Sequence, residues 1–89
     1  MIKINYHREF IKEFKKLPDN IRSKLVSLEE IFREDPFGSS IYIKKLKGKL
    51  SSFFSFRVTR DYRVIFRFVS KDEVDFLSVR HRKDIYLKI

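Results

Sequence analysis

Between Ser52 and Arg80 the chain passes through three runs rich in β-branched and aromatic residues, Ser52 to Thr59, Tyr62 to Val69 and Val74 to Arg80. Only Arg60-Asp61 and Ser70-Lys71-Asp72-Glu73 separate them. Breaks this short admit only hairpin turns, so the three runs pair as an antiparallel meander. Alternation with a period of two then sorts their faces. Phe54, Phe56 and Val58 share one side of the first run, with Ser55, Arg57 and Thr59 opposite. Val64, Phe66 and Phe68 share one side of the second, with Arg63, Ile65 and Arg67 opposite.

A sheet with one aromatic face needs a partner layer, and the N-terminal half supplies it. Ile2, Ile4 and Tyr6 alternate with Lys3 and Asn5 as a short opening strand. From Arg8 to Leu17 the period changes: Phe10, Ile11, Phe14 and Leu17 fall on one helical face, while Lys12, Glu13, Lys15 and Lys16 point outward. Pro18 ends that helix. Asp19 is placed to cap a second one, whose apolar face carries Ile21, Leu25, Leu28, Ile31 and Phe32. Asp35 to Ser40, with Pro36 and Gly38, stops it. Helices joined by about three residues lie antiparallel, so the expected fold is α+β. An N-terminal strand and a helical hairpin pack on one face of a mainly antiparallel sheet, in the order β-α-α-β-β-β. Lys44 to Lys49 reads as a basic connector between the layers. A chain of 89 residues makes one domain, spanning 1–89, and buries roughly 60–65% of its unfolded surface.

Charge is the next constraint. Residues 1–43 hold 8 Lys/Arg and 7 Asp/Glu, whereas residues 44–89 hold 13 and 5. A balanced half beside a strongly basic half reads as scaffold beside working surface, with a polyanion as partner and RNA before DNA. A solvated basic face kept for solubility is the plainer alternative. The chain has no cysteine, which removes disulfides and thiolate metal sites and suits a reducing cytoplasm. No apolar run approaches the ~18 residues a bilayer requires. The two histidines, His7 and His81, form no ligand cluster, and no phosphate-cradling glycine loop or nucleophile elbow occurs. The sequence therefore calls for no metal and no cofactor.

What remains is Arg, Lys, His and Tyr on one surface. Packing the aromatic faces on the helices leaves Arg57, Arg63 and Arg67 on the uncovered face, and the segment Arg80 to Tyr86 adds His81, Arg82 and Lys83 beside them. Lys45 and Lys47 extend the charge along the connector. RNA cleavage by transesterification has three requirements: a proton leaves the 2′-hydroxyl, a proton reaches the departing 5′-oxygen, and the phosphorane needs positive charge. Guanidinium groups fit the last through their planar forks. A histidine fits either proton task, and Tyr86 can stack on a base or bond a phosphate. Each also has a plain reading: His81 as a surface side chain, Tyr86 as a packing anchor, Arg67 and Lys83 as general electrostatics.

Three segments, Leu46-Lys47-Gly48, Phe56 to Phe66 with its Asp61-Tyr62-Arg63 core, and Val79 to Tyr86, follow the helical hairpin in that order. With that layout the chain resembles the RelE/ParE superfamily of type II toxin–antitoxin toxins along essentially its whole length. The resemblance implies a RelE-like fold and a toxin silenced by a cognate acidic antitoxin, for which a toxin–antitoxin heterotetramer is one assembly. RelE-like members cleave mRNA on the ribosome without metal, whereas ParE-like members poison DNA gyrase. By the same resemblance, Arg63 stabilises the transition state, and His81, Arg82 and Tyr86 serve phosphate contact, proton transfer and stacking. Arg57 takes the place of a cation on the catalytic strand. Two departures stand out: Ser55 occupies the position of a second cation, and the glutamate some relatives use as base is missing. The polar set tilts the expectation toward a ribosome-dependent ribonuclease rather than a gyrase toxin or a non-catalytic RNA-binding module.

Overall fold

The computed structural model describes residues 1–38 and 41–84. Strand β1 (Lys3–Tyr6) leads into helices α1 (Arg8–Lys15) and α2 (Asp19–Glu34). These are followed by β2 (Ile43–Lys45), a 3-10 turn (Gly48–Leu50), β3 (Phe54–Arg57), β4 (Tyr62–Ser70) and β5 (Glu73–His81). All five strands form one sheet in the order β1-β5-β4-β3-β2, with β1 parallel to β5 and the other pairs antiparallel. The expected α+β layout is present, with a fifth strand: Ile43–Lys45, whose last two residues begin the presumed connector, pairs with β3. Three residues are too few for alternation to announce a strand. Among the described residues no helix is long and apolar enough to cross a membrane.

The helices cover one face of the sheet. Phe32 of α2 sits at the centre, with ring centroids of Phe56, Phe66 and Phe76 at 5.6, 5.2 and 5.4 Å. All four rings are fully buried. Burying each stabilises by about 2–3 kcal/mol, and each well-angled ring pair adds roughly 0.5–1.5 kcal/mol. Ile11 and Ile31, expected on the apolar stripes, are 42% and 40% exposed and lie at the stripe margins.

Two local details depart from the pattern. Pro18, not Asp19, is the N-cap of α2, and its carbonyl accepts from the backbone N–H groups of Ile21 and Arg22 (both 3.0 Å). Asp19 becomes the first helical residue, where its charge favours the helix dipole, and it pairs with Arg22. Arg22 Nη1 also donates to the carbonyls of Lys15 (3.1 Å) and Leu17 (3.0 Å), which closes the C-terminus of α1 and sets the hairpin. Glu13, expected outward, is only 8% exposed. Its carboxylate accepts from Ser78 Oγ (2.6 Å), the Val79 N–H (3.1 Å) and Arg80 Nε. β1 pairs with β5 only as far as Phe76, so beyond it the edge of β5 lacks a strand partner. Glu13 takes the edge donor at Val79 instead.

β5 is bulged. Phe66 pairs with Phe76 and Ile65 with Ser78, so Leu77 has no partner in the register. The bulge shifts the phase of β5: Val74 and Phe76 face the helices before it, and Val79 faces them after it. Leu77 is left to pack with Ile65, Leu46 and Phe53 in a small cluster separate from the main core. The face away from the helices is therefore not wholly open, and Ile65, expected exposed beside Arg63, is fully buried. The loop before β4 is also longer than a two-residue turn. Pairing stops at Arg57↔Arg63, and Val58 to Asp61 bend between them.

β1 is fastened to α2 through Tyr6, whose hydroxyl donates to Glu29 Oε2 (3.0 Å) and accepts from Arg33 Nη2 (2.8 Å). Burial, then the charge of Glu29, pushes the Tyr6 hydroxyl up to about 12, so it remains a donor at any physiological pH. Burial also raises the Glu29 carboxyl above its ordinary range, against the lowering effect of Tyr6 and Arg33.

Candidate nucleic-acid interface

On the side away from the helices, β4 and β3 bring Arg63 and Arg57 directly opposite each other, and Arg63 is in turn the cross-strand partner of Arg80. Like charges in opposed positions repel and cost stability. Arg80 is neutralised, because it turns to Glu13 and to Glu9 (3.9 Å) on α1. Arg57 and Arg63 make no ion pair among the described residues. Arg63 Nη1 donates to the carbonyls of Arg60 (3.0 Å) and Thr59 (3.3 Å), which holds its fork in place without cancelling its charge.

These two arginines line a cleft of about 580 Å³ together with Tyr42, Ile43, Lys44, Ser55, Arg82 and Lys83. Five of the eight lining residues are cations, and no described carboxylate joins them. β2 supplies one wall. Ile43 packs on the core, so the alternation puts Tyr42 and Lys44 on the cleft side. Ser55, 2% exposed and small, forms the floor between Lys44 and Ile65, its partners on the neighbouring strands. The turn after β5 supplies the other wall. The Arg82 N–H donates to the Asp61 carbonyl (2.7 Å), and Arg82 Nε stands 3.7 Å from the Asp61 carboxylate. A concave surface lined by one sign of charge concentrates the field and draws anions.

The structure brings together Arg57, Arg63, Arg82 and Lys83 and leaves the other expected residues elsewhere. His81 lines a second cleft of about 300 Å³ against α1, with Tyr62, Lys12, Lys16 and the carboxylates of Glu9, Glu13 and Asp84. Its ring meets Tyr62 edge-on at 5.5 Å, and its Nδ1 accepts from the Lys83 N–H (3.2 Å). The bulge accounts for this placement, since it puts His81 in phase with Val79 on the helix side. Arg67 bonds Asp75 (3.0 Å) beyond the Ile65 cluster. His7 (3.3 Å) and Asn5 (3.0 Å) hold the same carboxylate. The Asn5 amide, then Arg67 and His7, hold the Asp75 carboxyl below its ordinary range against a desolvation cost. Lys45 and Lys47 are exposed and do not line the cleft. Tyr86 lies outside the described residues. Tyr42, Lys44 and Ser55 are the lining residues that pattern alone passes over, and the one signal for the first two is the short alternation Ile41-Tyr42-Ile43-Lys44.

With this geometry in view, the chain can be compared with known proteins. The family described as "ParE toxin of type II toxin-antitoxin system, parDE" matches residues 4–86. Among curated proteins none matches. Among solved structures, the RelB–RelE antitoxin–toxin complex of Methanococcus jannaschii shares 27% identity, covering 96% of this chain and 98% of that one at a TM-score of 0.77. YafQ of E. coli shares 16%, covering 97% and 99% at 0.78. The RelBE2 toxin–antitoxin complex of Mycobacterium tuberculosis shares 24%, covering 91% and 98% at 0.76. The last two speak for the fold. A match across nearly the entire sequence is what carries the assignment: this chain belongs to the ParE toxin family of type II toxin–antitoxin systems, within the RelE/ParE superfamily.

Proposed function

We propose that this toxin is a metal-independent endoribonuclease that cleaves mRNA on the ribosome and so inhibits translation. One observation carries the reading: opposed Arg57 and Arg63, together with Arg82, Lys83 and Lys44, line a single cleft without a carboxylate among the described residues. A protein bears that repulsion where an anion relieves it. In the proposed reaction Arg63 and Arg82 grip the non-bridging oxygens of the scissile phosphate, and Arg57 adds charge as the phosphorane forms. The 2′-oxygen attacks phosphorus as its proton passes to a base. The bond to the 5′-oxygen breaks as that oxygen takes a proton, leaving a 2′,3′-cyclic phosphate and a 5′-hydroxyl. Lys44 and Lys83 are the groups of the cleft able to exchange these protons, which makes them stronger carriers than His81, whose ring serves only after turning out of the neighbouring cleft. Tyr86 keeps its proposed role in stacking.

The partner in the silenced state is an acidic antitoxin segment, as cationic lining and kinship to antitoxin-bound RelE both support. The test is expression of wild type and Arg63→Ala, with mRNA 5′ ends mapped by primer extension. New ends in ribosome-bound messages, lost in the variant, are expected. Toxicity without new ends overturns the reading. The family matched is that of a ParE toxin, and the resemblance to ParE-like members implies a second reading, action on DNA gyrase. Inhibition of supercoiling by purified gyrase at equimolar toxin would establish it instead.

A further inference from the structure

The row across the sheet does not end with arginine. Ile43 pairs with Phe56, and Tyr42, the residue just before β2, lies beside Arg57, whose guanidinium carbon stands 5.6 Å from the Tyr42 ring centroid. Tyr42 is 69% exposed, and Arg57 is the one ring or charge partner of its side chain among the described residues. The order across the strands is thus Tyr42, Arg57, Arg63. Neighbouring strands are about 4.8 Å apart, which puts the ring roughly 10 Å from Arg63 across the sheet. That is the scale of one nucleotide from its phosphate to its base.

We propose that Tyr42, backed by Arg57, is a stacking platform for one unpaired RNA base next to the phosphate held by Arg57 and Arg63. Tyr42 is then a positioning residue: it sets which phosphodiester of a single strand comes to lie over Arg63. The proposal rests on the nucleic-acid reading of the cleft. An aromatic face with a guanidinium against it is a common way to hold an unstacked base. The ligand is a single strand because a paired base has no free face to offer. The five cations of the lining select it over an uncharged aromatic ligand. Core packing does not explain the ring, since its surface is mostly in solvent.

The experiment titrates purified toxin into a single-stranded heptaribonucleotide with one 2-aminopurine, blocked against cleavage by a 2′-deoxy sugar at each position in turn. For wild type, 2-aminopurine fluorescence is quenched at one position, and replacing that base by an abasic site weakens binding about 10-fold. Tyr42→Phe keeps both effects. Tyr42→Leu loses the quench, binds about 10-fold more weakly, and no longer distinguishes the abasic strand. The Tyr42→Leu salt dependence stays that of wild type, whereas Arg57→Ala lowers the slope by about 0.7. Wild-type binding that Arg63→Ala weakens and Tyr42→Leu leaves unchanged overturns the platform alone. Absence of wild-type binding at low salt overturns the nucleic-acid reading and the platform with it.

Discussion

At Glu13 a carboxylate only 8% exposed meets three donors from β5. Removing it leaves Ser78 Oγ, the Val79 N–H and the Arg80 guanidinium without that partner in a half-dry site. Glu13→Ala is expected to cost about 3 kcal/mol, measurable as a fall in urea midpoint. Glu13→Gln retains one acceptor and is expected to cost less. At Asp75 the consequence is pH dependence. Its folded-state carboxyl is held below the ordinary value by Asn5, Arg67 and His7, so its stabilisation is complete above the unfolded value of ~3.9 and disappears as pH falls through the lower folded value. Asp75→Asn is therefore expected to lower Tm at pH 7, with the gap to wild type closing as the pH falls below about 4. A gap that stays constant down to pH 2.5 would show that the charge is not what stabilises. Neither residue was legible in the sequence. Glu13 reads as an outward helix position, because periodicity locates a face and not the strand edge that meets it. Asp75 gains its partners from β1 and β4, 70 residues and 8 residues away.

Among the elements, the segment between β2 and β3 shapes the cleft, and Gly48 is its hinge. Its φ of 66° is in the left-handed region, and a Cβ there would meet nothing within 4 Å. The cost of a side chain is thus purely backbone, about 1–2 kcal/mol, and Gly48→Ala is expected to lower Tm by roughly 4–8 °C per kcal/mol for a domain of this size. Leu46 and Phe53 flank this turn and cover Ile65, and the Leu46 N–H donates to the Phe53 carbonyl (3.0 Å). A weakened turn should therefore also loosen the wall that carries Lys44. β3, β4 and β5 were legible because β-branched and aromatic residues dominate them and only short polar segments separate them. β2 was not, since only its pairing distinguishes three extended residues from a loop. The bulge at Leu77 was equally hidden: Phe76-Leu77-Ser78-Val79 carries no glycine or proline to mark it, and only the register with β4 reveals it.

For the molecule as a whole, the division of charge corresponds to a division of labour. The two helices hold six of the twelve acids, while the sheet presents a cluster of cations on the side away from them. Binding of single-stranded RNA is expected to weaken with salt, with log K falling against log salt at a slope of about −2 to −3 for three or four phosphate contacts. A slope near zero in an anisotropy titration from 50 to 300 mM KCl would show that the cleft does not hold phosphates.

By itself the sequence determined the α+β class, the helical hairpin, the meander and the basic half, because hydrophobic period and net charge are local properties of a chain. It also placed Arg57 and Arg63 on one face, since period two holds wherever the strand is unbroken. Only the tertiary structure decided the rest. It added β2 and with it Tyr42 and Lys44, sent Arg67 to Asp75, neutralised Arg80 against Glu13 and turned His81 toward α1. Each of these depends on the strand or helix that comes to lie alongside, and a single unpaired residue at Leu77 is enough to reverse which side of β5 a later side chain meets.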